Sequence, residues 1–165
     1  MSVVGIDPGL DGAVALLADD GRLIMLDDIP TVGGGRRVLN AQLLARLLGH
    51  KYRLHDEPMC ACVERAQSTG PRMKGRNSAF SYGRTVGAID GVLAALEIPL
   101  SYVSPTRWKR AAGIPAGSDK DESRRRAIEL FPGAADLLAR KKDHGRAEAL
   151  LIAYYGLTNK GEPSG

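Results

Sequence analysis

Near the start of the chain, short apolar runs cut off by turn residues constrain the fold more than any other feature. Val3, Val4, Gly5 and Ile6 run into Asp7-Pro8-Gly9. Ala13 to Ala18 runs into Asp19-Asp20-Gly21, and Arg22 to Leu26 follows at once. Short apolar runs bounded by Asp, Pro and Gly read as strands, and Asp-Gly between two of them is a strong hairpin signal. The reading is an antiparallel meander of three strands.

The rest of the chain alternates helix and strand. Gly33-Gly34-Gly35 with Arg36-Arg37 reads as a flexible surface loop. Leu39, Leu43, Leu44, Leu47 and Leu48 recur at helical spacing, with Gly49 as the stop. After Pro58 the run Met59 to Val63 predicts a strand that ends at Glu64, with Cys60 and Cys62 on one face as small core residues. A long helix is expected over residues 78–96, with Asn77 as its N-cap. Gly83, Gly87 and Gly91 recur along it every fourth residue. Each costs a helix about 0.8–1 kcal/mol, so another backbone should approach that stripe. The protein's own sheet or a second subunit could supply it, and the reading favours the subunit. Leu100 to Val103 predicts a strand. Pro105 opens a short helix that contains Trp108 and Lys109. Residues 119–130 predict a helix with Lys120 and Arg124-Arg125-Arg126, Pro132-Gly133 breaks the chain, and a last helix is expected over 146–155. This order predicts one α/β domain over residues 1–157, a mixed five-stranded sheet flanked by helices, with a flexible tail over 158–165.

Composition narrows the class of protein. The 165 residues are 44% apolar and 25% charged, which is globular composition. No apolar run reaches the roughly 18 residues a membrane span needs, and the opening residues lack a charged n-region. A cytoplasmic protein with no membrane partner is expected. The net charge of +4 is unevenly spread: −3 over residues 1–64, +8 over 65–142 and −1 over 143–165. A basic block between acidic ends suggests a polyanionic partner such as nucleic acid, although a solvated face is the blander reading.

The acids sit in informative places. Asp7 ends the first strand and Glu64 a later one, so both emerge at strand tips, where open sheets build sites. Glu148 is followed by Ala149-Leu150-Leu151-Ile152, which turns it towards an inward face. A buried carboxylate is costly unless it is paired or bound to metal. Carboxylates about 4 Å apart repel by roughly 4 kcal/mol at an effective dielectric near 20, so a cluster of them needs a counter-charge. Hard divalent cations take oxygen ligands, and a pair of such ions can activate water and stabilise the leaving oxygen of a phosphodiester. Each acid also has a structural alternative: turn chemistry for Asp7, helix N-capping for Asp143, and an arginine partner for Glu148.

Gly5-Ile6-Asp7-Pro8-Gly9, Val63-Glu64-Arg65 and the stretch from Asp143 to Ala153 resemble RuvC-type Holliday junction resolvases. Ser78 to Gly83 and Asp119 to Arg124 resemble segments of the phage and prophage RuvC-like branch, and the likeness covers most of residues 3–156. The resemblance implies an RNase H-like fold, a homodimer, and cleavage of branched DNA with Mg²⁺ or Mn²⁺. It carries metal-ligand roles to Asp7, Glu64 and Glu148. The family's usual spacing of three would put the remaining ligand at Gly145, so Asp143 is favoured, with His144 as its rival. Lys109 and Lys120 match basic positions near the scissile phosphate. Arg72, Lys74, Arg76, Arg84, Arg110 and Arg124 are the further candidates for contacting the DNA backbone. One departure stands out: the aromatic wedge expected shortly after the second acid is missing from Gln67-Ser68-Thr69, which leaves Met73 as the apolar side chain available there.

The expected activity is therefore that of a divalent-metal-dependent endodeoxyribonuclease that resolves four-way junctions. A less selective nuclease for flaps, forks or RNA–DNA duplexes, and a non-catalytic DNA-binding module of the same fold, are the alternatives.

Overall fold

A computed structural model describes residues 1–35, 37–54, 57–65 and 76–159. Strand β1 (Ser2–Ile6) pairs antiparallel with β2 (Ala13–Leu17), and β2 pairs antiparallel with β3 (Leu23–Asp28). The apolar runs thus form the expected meander. A small hairpin of β4 (Thr31–Val32) and β5 (Val38–Leu39) brackets the glycine-rich loop, which is tethered at its base. Beyond helix α1 (Ala41–Leu54), β6 (Met59–Glu64) lies parallel to β1, and β7 (Leu100–Val103) lies parallel to β6. The mixed five-stranded sheet has the order β3-β2-β1-β6-β7. Helix α2 (Arg76–Ala95) joins β6 to β7. Three more helices follow: α3 (Pro105–Ala111), α4 (Lys120–Leu130) and α5 (His144–Thr158).

Alternation along the strands divides the core in two. Val4, Ile6, Val14 and Leu16 point to one face, where Leu44 and Leu48 of α1 and Ile89 and Leu93 of α2 cover them. Ala13, Ala15, Leu17 and Cys62 point to the other, against Trp108 and the apolar residues of α5. Cys62 serves as a small core residue, and burial pushes its thiol up to about 11. Every residue of α5 from Ala147 to Ala153 is buried. A helix apolar all round is one enclosed on all sides, and here the sheet, α3 and α4 enclose it.

Helix ends differ from expectation for local reasons. Helix α1 starts at Ala41 because Leu39 pairs with Thr31, and Asn40 Oδ1 accepts a bond from the Leu43 N–H at 3.0 Å. It continues past Gly49, a buried glycine without the positive φ that ends a helix. Asn77 lies inside α2 instead of capping it. Asp119 does cap α4, accepting from the N–H groups of Asp121 and Glu122. Helix α5 begins at His144, two residues earlier than its periodicity suggests, and continues through Thr158. Residues 160–165 of the expected tail lie outside the described residues.

Candidate active site

Two glycines let α5 lie directly on the sheet. A Cβ on Gly5 would stand 2.2 Å from the Ala149 carbonyl oxygen and 2.3 Å from the Ala153 nitrogen. A Cβ on Gly145 would stand 2.3 Å from the Asp11 carbonyl oxygen. The helix therefore meets β1 without intervening side chains. That contact seats Ala149 over Gly5, and so puts Glu148 near the strand end where Asp7 follows Ile6. Register completes the placement. Ile6 is paired with Val63, so the next residues, Asp7 and Glu64, leave neighbouring parallel strands at the same edge.

Helix α3 then closes on two of these acids. The Trp108 indole Nε1–H donates to Glu64 Oε2 at 2.8 Å, and both side chains are buried. The next residue, Lys109, places its ammonium 3.9 Å from Glu148 Oε1. It also lies 5.2 Å from the centre of the Trp108 ring, a cation–π distance. Glu148 is 3% exposed and Lys109 is its ion-pair partner, so the arginine anticipated for Glu148 is a lysine. Asp7 is half-buried, and its Oδ1 accepts a bond from the Gly9 N–H at 3.1 Å. The turn chemistry expected of Asp-Pro-Gly is thus present at the tip of β1.

Asp143 behaves differently. It is buried, and Arg140 grips it through Nε, Nη2 and the backbone N–H, at 2.8 to 3.2 Å. The guanidinium holds its carboxyl below the usual carboxylate range. In this structure Asp143 is a structural anchor at the foot of α5. His144, its rival, is the half-buried first residue of that helix. Among the described residues, no group of three or more His, Cys, Asp or Glu side chains stands close enough to hold an ion. What the structure does show is that consecutive residues of α3 each engage one buried acid, Trp108 on Glu64 and Lys109 on Glu148. The donor chemistry fits a hard divalent cation. Glu64 and Glu148 are both buried carboxylates, the oxygen donors such an ion takes.

The expected DNA contacts are scattered. Arg84 is exposed on α2 and Arg110 on the last turn of α3. Arg124 is engaged within the protein, donating to both Asp121 oxygens and to the Leu138 carbonyl, so it ties α4 down instead of reaching outward. Arg76 and Lys120 open α2 and α4, but their side chains lie outside what is described, as do Arg72, Met73 and Lys74 entirely. Sequence reasoning missed Arg140 and the role of Trp108. The first shows only as one arginine in a basic stretch. The second could have been suspected as the lone tryptophan, since a buried indole N–H requires an acceptor.

No family model matches the chain. Over 128 residues, or 76% of its length, it is 36% identical to a chloroplastic Holliday junction resolvase, MOC1, of Chlamydomonas reinhardtii, and it spans 14% of that relative. It superposes on Thermus thermophilus RuvC solved with a Holliday junction substrate, with a TM-score of 0.61, 19% identity and 99% of each chain covered. The chain has the RNase H-like fold of RuvC. A second Thermus thermophilus RuvC structure gives a TM-score of 0.55 at 19% identity, again over 99% of both chains. The fold expected from the sequence is therefore present. Asp7 and Glu64 follow paired residues of the neighbouring parallel strands β1 and β6. Among the described residues no helix is long and apolar enough to cross a membrane.

Proposed function

We propose that this RuvC-like chain is a divalent-metal-dependent, structure-selective endonuclease that cuts branched DNA, with the four-way junction as its main substrate. The observation that supports this reading is that adjacent residues of α3 engage two buried acids, Trp108 holding Glu64 and Lys109 facing Glu148. The relatives' names support it: one is a Holliday junction resolvase, and the other was solved on a junction. Asp7, Glu64 and Glu148 would hold Mg²⁺, or Mn²⁺ in its place. Bound there, the ions supply an activated water and neutralise charge on the phosphodiester. Asp143 joins the ligands only by giving up Arg140, whose guanidinium would then be free for a DNA phosphate.

The chain's own groups do the rest. Lys109, about a third exposed, supplies a positive charge where a scissile phosphate would meet Glu148. Arg84 and Arg110 add salt-sensitive backbone contacts. Two active sites cutting opposing strands require a dimer. Exposed Phe80 and the glycines at 83, 87 and 91 of α2 are the surface proposed for it. A Cβ at any of those glycines would have nothing within 4 Å, so the chain's own sheet is not what they approach. A reducing compartment such as the cytoplasm suits the buried Cys62 thiol.

The test is a Mg²⁺-dependent cleavage assay on a four-way junction beside a matched linear duplex. The junction should be cut and the duplex spared, and Asp7→Asn should abolish cutting while preserving junction binding. Equal cutting of both substrates would establish the less selective nuclease instead. An Asp7→Asn variant that cuts at the parental rate would show the site to be misassigned.

A further inference from the structure

Two of the engaged carboxylates near α5, Asp143 and Glu64, have partners of opposite kind. Asp143 is gripped by a guanidinium, which cancels its charge. Glu64 takes a bond from an indole N–H, a neutral group that donates and cannot accept. A neutral donor fixes a carboxylate's orientation without itself cancelling its charge. Metal sites use such partners behind their ligands, and losing one typically weakens metal binding or activity about ten- to a hundredfold.

We propose that Trp108 is a positioning residue for Glu64: its indole N–H holds the carboxylate in one orientation at the tip of β6, ready for a divalent ion. The inference rests on the metal-dependent reading above. The geometry suits the role on both sides of the bond. Trp108 is fully buried in the core beneath α5, so its ring has no freedom to follow a wandering acid. The helix that carries it is pinned by Pro105 at its first turn and stacks the next residue, Lys109, on the same ring. One rigid indole thereby orients the β6 acid and the lysine that faces the α5 acid. A purely structural tryptophan would equally need an acceptor for its N–H, and the experiment below separates the two roles.

Mn²⁺ chloride is titrated into full-length wild type and Trp108→Phe in a calorimeter, and junction cleavage is measured against Mn²⁺ concentration. The variant keeps the ring and loses the donor. It should bind Mn²⁺ about ten- to a hundredfold more weakly. Its half-saturating Mn²⁺ for cleavage should rise by the same factor, with little change in kcat once Mn²⁺ saturates. Trp108 is the chain's single tryptophan, so its emission in the wild type reports on Glu64 without any substitution. Paramagnetic Mn²⁺ should quench it over the concentration range in which heat is released, and Glu64→Gln should remove that response. Wild-type affinity in Trp108→Phe overturns the inference. So does heat of Mn²⁺ binding with unquenched emission in the wild type, a result that holds even if the variant fails to fold. A wild type that takes up no Mn²⁺ sinks the metal-dependent reading itself, and the inference with it.

Discussion

Replacing Gly5 by alanine adds one methyl group at the point where α5 rests on the central strand. The strand's backbone conformation accepts alanine, so the effect is steric alone. The new Cβ would stand 2.2 Å from the Ala149 oxygen and 2.8 Å from the Ala153 Cα. Ordinary non-bonded contact begins at about 3.5 Å, so α5 must retreat by about 1 Å. Both obstructing groups are backbone, which no rotamer change can move aside. Overpacking a core typically costs about 1–3 kcal/mol, and the upper end applies here. In a chain of this length each kcal/mol lowers Tm by about 2–4 °C, so Gly5→Ala should melt about 6–12 °C below wild type. Cleavage should fall further than stability explains, because α5 carries Glu148 and a 1 Å misplacement can cost about a hundredfold in rate. The control is Gly91→Ala in dilute protein. That site is exposed on α2, with nothing within 4 Å of an added Cβ. There alanine should stabilise the helix by about 0.8–1 kcal/mol. The measurement is calorimetric melting of both variants, followed by junction cleavage well below either midpoint. A Gly5→Ala protein that melts with wild type, or Gly→Ala shifts of the same sign at both sites, would refute the close packing of α5 on β1.

Three further outcomes follow from the same contacts. Arg140 lowers the Asp143 carboxyl in the folded state, so its stabilisation is present above the ordinary carboxylate value near pH 4 and is lost as pH falls through the lowered one. Asp143→Asn should therefore lower Tm at pH 7 and converge on wild type in acid; parallel Tm–pH curves would contradict the pairing. Lys109→Ala removes the ammonium beside Glu148. It should slow cleavage by about 10²–10³, as loss of an anion-stabilising donor does, while Mn²⁺ affinity measured by calorimetry holds or rises. A fall in Mn²⁺ affinity would show that the lysine supports the site in some other way. Gly87→Leu should drive the protein towards monomer in sedimentation velocity at micromolar concentration, and an unchanged sedimentation coefficient would remove α2 as the dimer surface.

The features legible in the sequence were local ones. Each short apolar run bounded by turn residues became a strand, and Asp119 capped the helix it was read to start. The strand-tip positions of Asp7 and Glu64 followed from where the apolar runs stop. Helix ends were harder to read because tertiary contacts decide them: Leu39 joins a hairpin instead of a helix, and Gly49, buried within α1, is simply another helical residue. Side-chain partners were hardest of all. Glu64 and Trp108 are 44 positions apart, and nothing local in either segment announces the bond. Arg124 sits in a run of three arginines that reads as a basic face, yet Asp121 one turn back and the Leu138 carbonyl claim it. A charge run reveals the sign of a surface, and packing decides which members of the run remain on it.

Gly145 gives a steric reason why the last acids depart from the spacing the RuvC resemblance implies. The expected position, three before Glu148, lies where α5 presses on the Asp11 carbonyl, with room for no side chain at all. A carboxylate there would have to push the helix off the β1–β2 turn, and with it Glu148 away from Asp7. Close seating of α5 and a ligand at that position are therefore mutually exclusive in this chain. Any fourth acid has to come from the residues before the helix begins, and Asp143 is the buried carboxylate found there. It closes the 3-10 turn Lys141–Asp143 that leads into α5, and Arg140 at the head of that turn fixes its orientation. On this argument the arginine is the consequence of the glycine. Arg140→Ala should loosen the orientation of Asp143 and lower Tm, and Gly145→Ala should disrupt the seating of α5 with Arg140 still in place. If Gly145→Ala melts like wild type and retains full junction cleavage, the steric account of the spacing is wrong.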